Sequence, residues 1–189
     1  FIDSVYAAAP RSRGLRHRVE HAQVLNIEDI PRFSTSGVIA SMQPPHAVED
    51  KGWAEQRLGP DRIEGAYAWR TLRRQRAHLV FSSDLPGSGW SPFYGLHSAI
   101  SRQDTTGAPT GGWYPEQRMT PEEAVRGYST WAAYAGFDEQ EAGSIAVGKR
   151  ADFTVITVDP LRVAAPAELL SGAVQLTVSR GRVTYQRTP

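Results

Sequence analysis

Val38-Ile39-Ala40-Ser41-Met42-Gln43-Pro44-Pro45-His46 is the stretch on which the fold turns. Its opening run, uncharged and β-branched at the start, reads as a short strand buried on both faces, as in the interior of a parallel sheet. Pro44-Pro45 ends that strand, and Gln43 and His46 stand at its exit. The same pattern recurs on either side. Upstream, Leu15 to Ala22 alternates as a strand with Leu15, His17, Val19 and His21 on one face. Downstream, Leu79-Val80-Phe81 begins a second buried run that passes into Ser82-Ser83-Asp84-Leu85-Pro86. Asn26 to Ser34 predicts a short helix with Ile27, Ile30 and Phe33 inward, and Trp53 to Leu58 and Glu64 to Arg76 predict two more. Strand, helix, strand, helix, strand is the order of parallel strands joined by crossover helices, so the fold class is α/β. Polar residues close each strand at its C-terminal end: His21, then Gln43 and His46, then Asp84. In parallel sheets and barrels that is the end where sites form.

The rest of the chain changes character. Residues 87–118 are rich in Gly, Pro, Ser and Thr and read as loop, apart from a short helix near Phe93 to Ser101. Thr120-Pro121-Glu122-Glu123 opens a helix: Thr120 caps, Pro121 suits the first turn and Glu123 completes a capping box. That helix is expected to run to about Ala135 and end at Gly136. Strand-like runs follow at Phe153 to Val158, Val174 to Ser179 and Val183 to Gln186, with Arg180-Gly181 as a tight turn between the last two. The change from α/β to β places a domain boundary near Phe137, dividing the chain into 1–137 and 138–189. At the other end, Phe1, Ile2, Val5, Tyr6 and Ala9 share one helical face before Pro10 and Gly14 break it. A chain that opens on Phe in mid-helix is expected to have further sequence before it.

Composition narrows the function. Lys+Arg is 21 and Asp+Glu is 20, a balance without the basic footprint of a nucleic-acid or anionic-membrane binder. Cysteine is absent, which excludes disulfides and thiolate metal ligands. No apolar run approaches the roughly 20 residues of a membrane span, and no signal peptide is visible; the working expectation is a cytoplasmic protein.

On spacing alone, His21 is either a metal ligand or a hydrogen-bonded strand-end histidine, and Asp84 is either catalytic or a turn residue before Pro86. His46 either touches substrate or is a loop histidine. Arg102 either faces a substrate carboxylate or is an exposed helix-end arginine. His17 lies roughly 13 Å below His21 at strand rise, which suits a packing role. His78 opens its strand and reads as structural, and His97 is expected on a helix surface. Gly143 to Arg150 imitates a phosphate-binding loop but lacks its Ser/Thr and precedes a strand. Pro86-Gly87-Ser88-Gly89 has no strand-turn-helix elbow around its serine.

Several phrases together resemble the amidohydrolase superfamily, and within it amidohydrolase family 3, which includes N-substituted formamide deformylase-like enzymes. They are Arg16-His17-Arg18-Val19-Glu20-His21-Ala22-Gln23, Ser41-Met42-Gln43-Pro44, Ala66-Tyr67-Ala68-Trp69-Arg70-Thr71-Leu72, Ser82-Ser83-Asp84-Leu85-Pro86, Thr120-Pro121-Glu122-Glu123-Ala124 and Gly143-Ser144-Ile145-Ala146-Val147-Gly148-Lys149-Arg150-Ala151-Asp152-Phe153. The resemblance implies the C-terminal part of a distorted (β/α)8 barrel, strands six to eight, with part of a small β-sandwich built from both chain ends. His21, Gln43 and Asp84 would end strands six, seven and eight. It further implies His21 and Asp84 as ligands of a divalent metal, zinc by preference. Asp84 would shuttle the proton, with Gln43, His46 and Arg102 toward an amide-like small molecule. The family's His-x-His on strand one, its strand-four carboxylate or carboxylated lysine and its strand-five His have no counterpart, and neither Lys51 nor Lys149 ends a strand. The remaining ligands are expected from a missing N-terminal half or another chain. The alternative is a non-catalytic remnant or partner subunit that keeps the fold without a complete metal site.

Overall fold

A computed structural model of the chain describes Ala8 and residues 12–188. The helical face expected over Phe1 to Ala9 otherwise lies outside the described residues. Strands β1 (Arg18–Glu20), β2 (Ile39–Met42) and β3 (Leu79–Phe81) form a parallel sheet in the order β1-β2-β3. Glu20 pairs with Ser41, Ser41 with Val80 and Met42 with Phe81, so the three strands end at one edge. Every residue of β2 is buried, as its uncharged run required. The strand expected over Leu15 to Ala22 is shorter. Ser12–Leu15 is a turn of 3-10 helix, and Arg16, His21 and Ala22 take positive φ, which breaks the two-residue alternation before His21 is reached.

Helix α1 (Ile30–Ser36) starts with Pro31 in its first turn and stops at Gly37 (φ 75°), whose N–H bonds to Phe33 O. Pro44-Pro45 does more than end β2. The two prolines occupy the first turn of α2 (Pro44–Asp50), where a missing N–H costs nothing and a fixed φ helps. Helix α3 (Ala54–Ile63) is kinked at Gly59 before Pro60. The helix expected from Glu64 is only α4 (Trp69–Arg74), because Gly65 to Tyr67 bonds instead to the segment after β1: Leu25 N–H to Gly65 O at 3.0 Å and Tyr67 N–H to Gln23 O at 2.8 Å. Gly65 is required there, since a Cβ would stand 1.9 Å from Leu25 O.

Helix α5 (Pro92–Ser101) follows β3 and is almost wholly buried. Ser129 divides the expected helix over 121–135 into α6 (Pro121–Tyr128) and α7 (Thr130–Ala135). Its hydroxyl bonds back to Val125 O at 2.7 Å, and the Gly143 turn packs against Ser129 and Thr130. The capping box is formed: Glu123 N–H bonds to Thr120 Oγ1 at 3.2 Å, and Thr120 N–H to Glu123 Oε2 at 3.0 Å. Thr120→Ala is therefore expected to lower stability by about 1 kcal/mol, read as a shift in the urea midpoint at constant slope.

Strands β4 (Phe153–Ile156), β5 (Val174–Ser179) and β6 (Arg182–Gln186) form a separate antiparallel sheet in chain order. Arg180 (φ 50°) and Gly181 (φ 74°) make its hairpin turn, both left-handed as a type I′ turn requires. The core lies around Trp69, which is fully buried with its ring 5.8 Å from that of Phe81. It extends to Leu169, in the 3-10 helix Pro166–Ser171 that precedes β5. Among the described residues no helix is long and apolar enough to cross a membrane.

Candidate metal centre

Three side chains converge at the C-terminal edge of the parallel sheet. Each arrives by a different local device. His21 follows β1 with φ 70°, and Asp84 follows β3 with φ 58°. Left-handed backbone is uncommon outside glycine and costs of order 1–3 kcal/mol per residue; such strain gathers where a side chain must be aimed. His46 is the third residue of α2, so the proline-started helix turns it back over the end of β2. One ring nitrogen of each histidine and one Asp84 oxygen lie within 4.8 Å of one another. Asp84 Oδ2 is 3.7 Å from His46 Nε2 and 4.0 Å from His21 Nδ1. The imidazoles stack, centroids 5.7 Å apart and 14° from parallel. His46 is the most enclosed, its side chain 14% exposed against 46% for His21 and 43% for Asp84.

The surroundings brace these groups. Gly87 folds back over Asp84, where any Cβ would stand 2.9 Å from both Asp84 O and Oδ2. Buried Gln43 donates from Nε2 to Ser82 Oγ at 2.9 Å and turns Oε1 toward His21 Nδ1 at 3.0 Å. Helix α2 is tied at its far end. Asp50 Oδ2 accepts from Gln23 Nε2 at 2.8 Å and from the Tyr67 hydroxyl, which also accepts from Gln23 at 2.7 Å. Burial, with the Asp50 carboxylate beside it, pushes the Tyr67 phenol well above the ordinary tyrosine range, so it stays a neutral donor. On the same helix Glu49 Oε2 accepts from Ser88 Oγ at 2.6 Å, linking α2 to the loop after Asp84.

A zinc ion bonds histidine nitrogen and carboxylate oxygen at about 2.0–2.2 Å, so two of its ligand atoms stand no more than about 4.4 Å apart. Both separations from Asp84 fall within that limit. Two imidazoles and a carboxylate are a common donor set for such a cation, and the residues present fit it.

Arg102 is not brought to this cluster. It is fully buried; its guanidinium donates to Trp113 O at 2.7 Å and Tyr67 O at 3.1 Å and lies over the rings of Trp69 and Trp113. Exposure at the helix end was the wrong picture, because φ 60° at Arg102 turns the chain inward. His97 likewise is 1% exposed, not on a helix surface, with ring nitrogens against Pro166 O (3.1 Å) and Asp104 O (3.2 Å). His78 stacks on Tyr134 at the opposite end of β3. Lys51 bonds Val48 O and Asp104, and Lys149 bonds Glu139 O and Ala142 O, both away from any strand end. What sequence reasoning missed is the contact of Ser82 with Gln43 and the seating of His46 beside His21 and Asp84. The visible signal for the latter was Pro44-Pro45, which starts a helix as well as it ends a strand.

The amidohydrolase family model matches residues 2–185. The putative amidohydrolase YtcJ of Bacillus subtilis (strain 168) is 33% identical over 180 residues, covering 95% of this chain and 34% of that protein. N-substituted formamide deformylase of Arthrobacter pascens is 28% identical over 176 residues, covering 90% and 31%. The crystal structure of an uncharacterized metal-dependent hydrolase from Pyrococcus furiosus superposes with a TM-score of 0.68 at 26% identity, covering 85% of this chain and 32% of that one. The chain spans about a third of the length of the curated relatives it matches. With the family model spanning nearly every residue, the chain belongs to the amidohydrolase family, in the branch known as amidohydrolase family 3.

Proposed function

We propose that the chain carries the C-terminal part of a metal-dependent hydrolase that cleaves amide-like, non-peptide carbon–nitrogen bonds in small molecules. In this reading β1, β2 and β3 are strands six to eight of a (β/α)8 barrel, residues 1–137 belong to the barrel and 138–189 to a β-sandwich. The observation that carries the reading is the meeting of His21, His46 and Asp84 at one strand-end edge, all ligand atoms within 4.8 Å. His21, His46 and Asp84 would hold the metal. A divalent cation there, zinc by the nitrogen and oxygen donors, lowers the pKa of water toward ~7 and polarises a carbonyl. Asp84 would accept the proton of the attacking water on its carboxylate and return it to the leaving nitrogen as the carbon–nitrogen bond breaks. In this reading a fourth ligand, where the site takes one, and the remaining walls for a substrate would be supplied by a missing N-terminal half or another chain.

The test uses the full-length polypeptide, stripped of metal and reloaded with zinc. Stoichiometric zinc, and zinc-dependent hydrolysis of a panel of N-substituted formamides and N-acyl amines, are expected. His21→Ala and His46→Ala should each lower zinc affinity at least tenfold and reduce turnover with it. Zinc binding that is indifferent to both substitutions would remove the metal assignment.

A further inference from the structure

Tyr67 stands where the segment after β1 meets the helix that carries His46. It is 2% exposed and has φ 50°, a left-handed conformation that costs a bulky residue of order 1–3 kcal/mol. Such a conformation persists only where several contacts hold it at once. The Tyr67 N–H bonds to Gln23 O at 2.8 Å, and the Tyr67 carbonyl accepts from Arg102 Nη1 at 3.1 Å. The ring meets that of Trp113 edge-on, with centroids 5.5 Å apart. Held this way, the hydroxyl donates to Asp50 Oδ2, while Gln23 Nε2 donates to both, at 2.7 Å to the hydroxyl and 2.8 Å to the carboxylate. The three bonds close a triangle in which each side-chain hydrogen is used once. The carboxylate only accepts, the amide nitrogen only donates, and the phenol, kept neutral by burial, does one of each.

Two corners of the triangle lie close in the chain to the two histidines. Gln23 is two residues beyond His21, and Asp50 is four beyond His46, about one turn further along α2. The histidines themselves have little slack. Zinc bonds of about 2.0–2.2 Å keep ligand atoms within about 4.4 Å of one another, so His46 Nε2 at 3.7 Å and His21 Nδ1 at 4.0 Å from Asp84 Oδ2 tolerate outward shifts of only about 0.4–0.7 Å. Glu49 and Lys51 tie the same helix to Ser88 and Asp104, but neither of those bonds reaches the segment after β1. We infer that Tyr67, through Asp50 and Gln23, is the positioning residue that sets α2 against the segment after His21, and so holds His46 and His21 at a separation one cation can bridge. This rests on the reading of His21, His46 and Asp84 as metal ligands. Tyr67 takes no part in the chemistry; its effect is on geometry, and the coordination of the cation is where that effect shows.

The experiment uses the full-length polypeptide, loaded in parallel with zinc and with cobalt(II), whose visible absorption bands change with the geometry of its ligands. Tyr67→Phe removes only the hydroxyl. It should alter the cobalt bands and weaken zinc binding about tenfold. Asp50→Ala should do the same. Asp50→Asn, whose amide oxygen can accept from both Tyr67 and Gln23, should keep the wild-type bands and zinc affinity. The two Asp50 variants keep the test open even where Tyr67→Phe folds poorly. Wild-type cobalt bands and zinc affinity in Tyr67→Phe or in Asp50→Ala overturn the inference, even with a lowered urea midpoint, because a bond that only stabilises the fold behaves in that way. An Asp50→Asn protein as impaired as Asp50→Ala also overturns it. Failure of the underlying reading is separately visible: His21→Ala and His46→Ala would then leave zinc affinity and the cobalt bands unchanged.

Discussion

Asp84→Asn in the zinc-loaded, full-length polypeptide is expected to cut kcat by about 10²–10⁴-fold while leaving the fold intact, the range associated with removing a positioned proton acceptor. Activity falls because Oδ2 is the atom that faces both histidines, 3.7 Å from His46 and 4.0 Å from His21, and an amide there cannot take a proton from water. The fold survives for a backbone reason. Asp84 sits at φ 58°, a left-handed conformation that Asn accepts more readily than most residues. The Asp84 side chain is also 43% exposed, so little packing depends on it. Asp84→Ala should behave differently, adding a strained backbone to the lost carboxylate and lowering the urea midpoint as well as kcat. Kinetics and denaturation on both variants separate the two effects. An Asp84→Asn protein with kcat within tenfold of wild type would exclude Asp84 as the proton carrier.

Much of this arrangement was readable from residue order because parallel strands impose it. Uncharged runs at Val38 to Met42 and Leu79 to Phe81 admit few other placements, and the residues that leave such strands must gather at one edge. That is why His21, Gln43 and Asp84 were legible as a group. The misreadings came from positions where one residue type serves two structures. Pro44-Pro45 punctuates a strand and also starts a helix, and only coordinates show that α2 turns His46 back beside His21. Gly65 looked tolerable inside a helix, yet the approach of Leu25 O leaves no room for a side chain and holds the chain in a turn. Arg102 and His97 looked exposed because both are polar. They are buried because backbone carbonyls of distant segments, Tyr67 and Trp113 for one and Pro166 and Asp104 for the other, reach their nitrogens. Such long-range satisfaction has no periodic signature. Gln43 shows the same limit in the site itself: its position was legible, but the direction of its amide depends on Ser82 across the sheet.

Trp69→Ala is expected to be the most damaging core substitution, at about 3–5 kcal/mol from lost packing and the cavity left behind. Trp69 is fully buried: its ring meets Phe81 edge-on at 5.8 Å, and the Arg102 guanidinium carbon lies 4.3 Å from its centroid. The second contact makes this tryptophan more than a volume. Arg102 is buried with carbonyl partners only, and its Nη2 has no hydrogen-bond partner. Burial pushes its pKa down, the direction expected when a charge is taken out of water. The electron-rich faces of Trp69 and Trp113 are therefore part of what makes that charge tolerable, and a desolvated cation–π contact is worth ~2 kcal/mol. Losing both terms consumes much of the roughly 5–15 kcal/mol that holds an ordinary domain folded. Trp69→Ala should accordingly be recovered largely unfolded, whereas Trp69→Phe keeps an aromatic face under Arg102 and should stay folded with a lower urea midpoint. Adding Arg102→Met to Trp69→Ala removes the stranded charge. Stability should then recover by more than Arg102→Met changes it alone, a coupling that a double-mutant cycle on the Trp69→Phe and Trp69→Ala backgrounds measures directly. Strict additivity would show that Trp69 contributes bulk alone and that the buried guanidinium finds its compensation elsewhere.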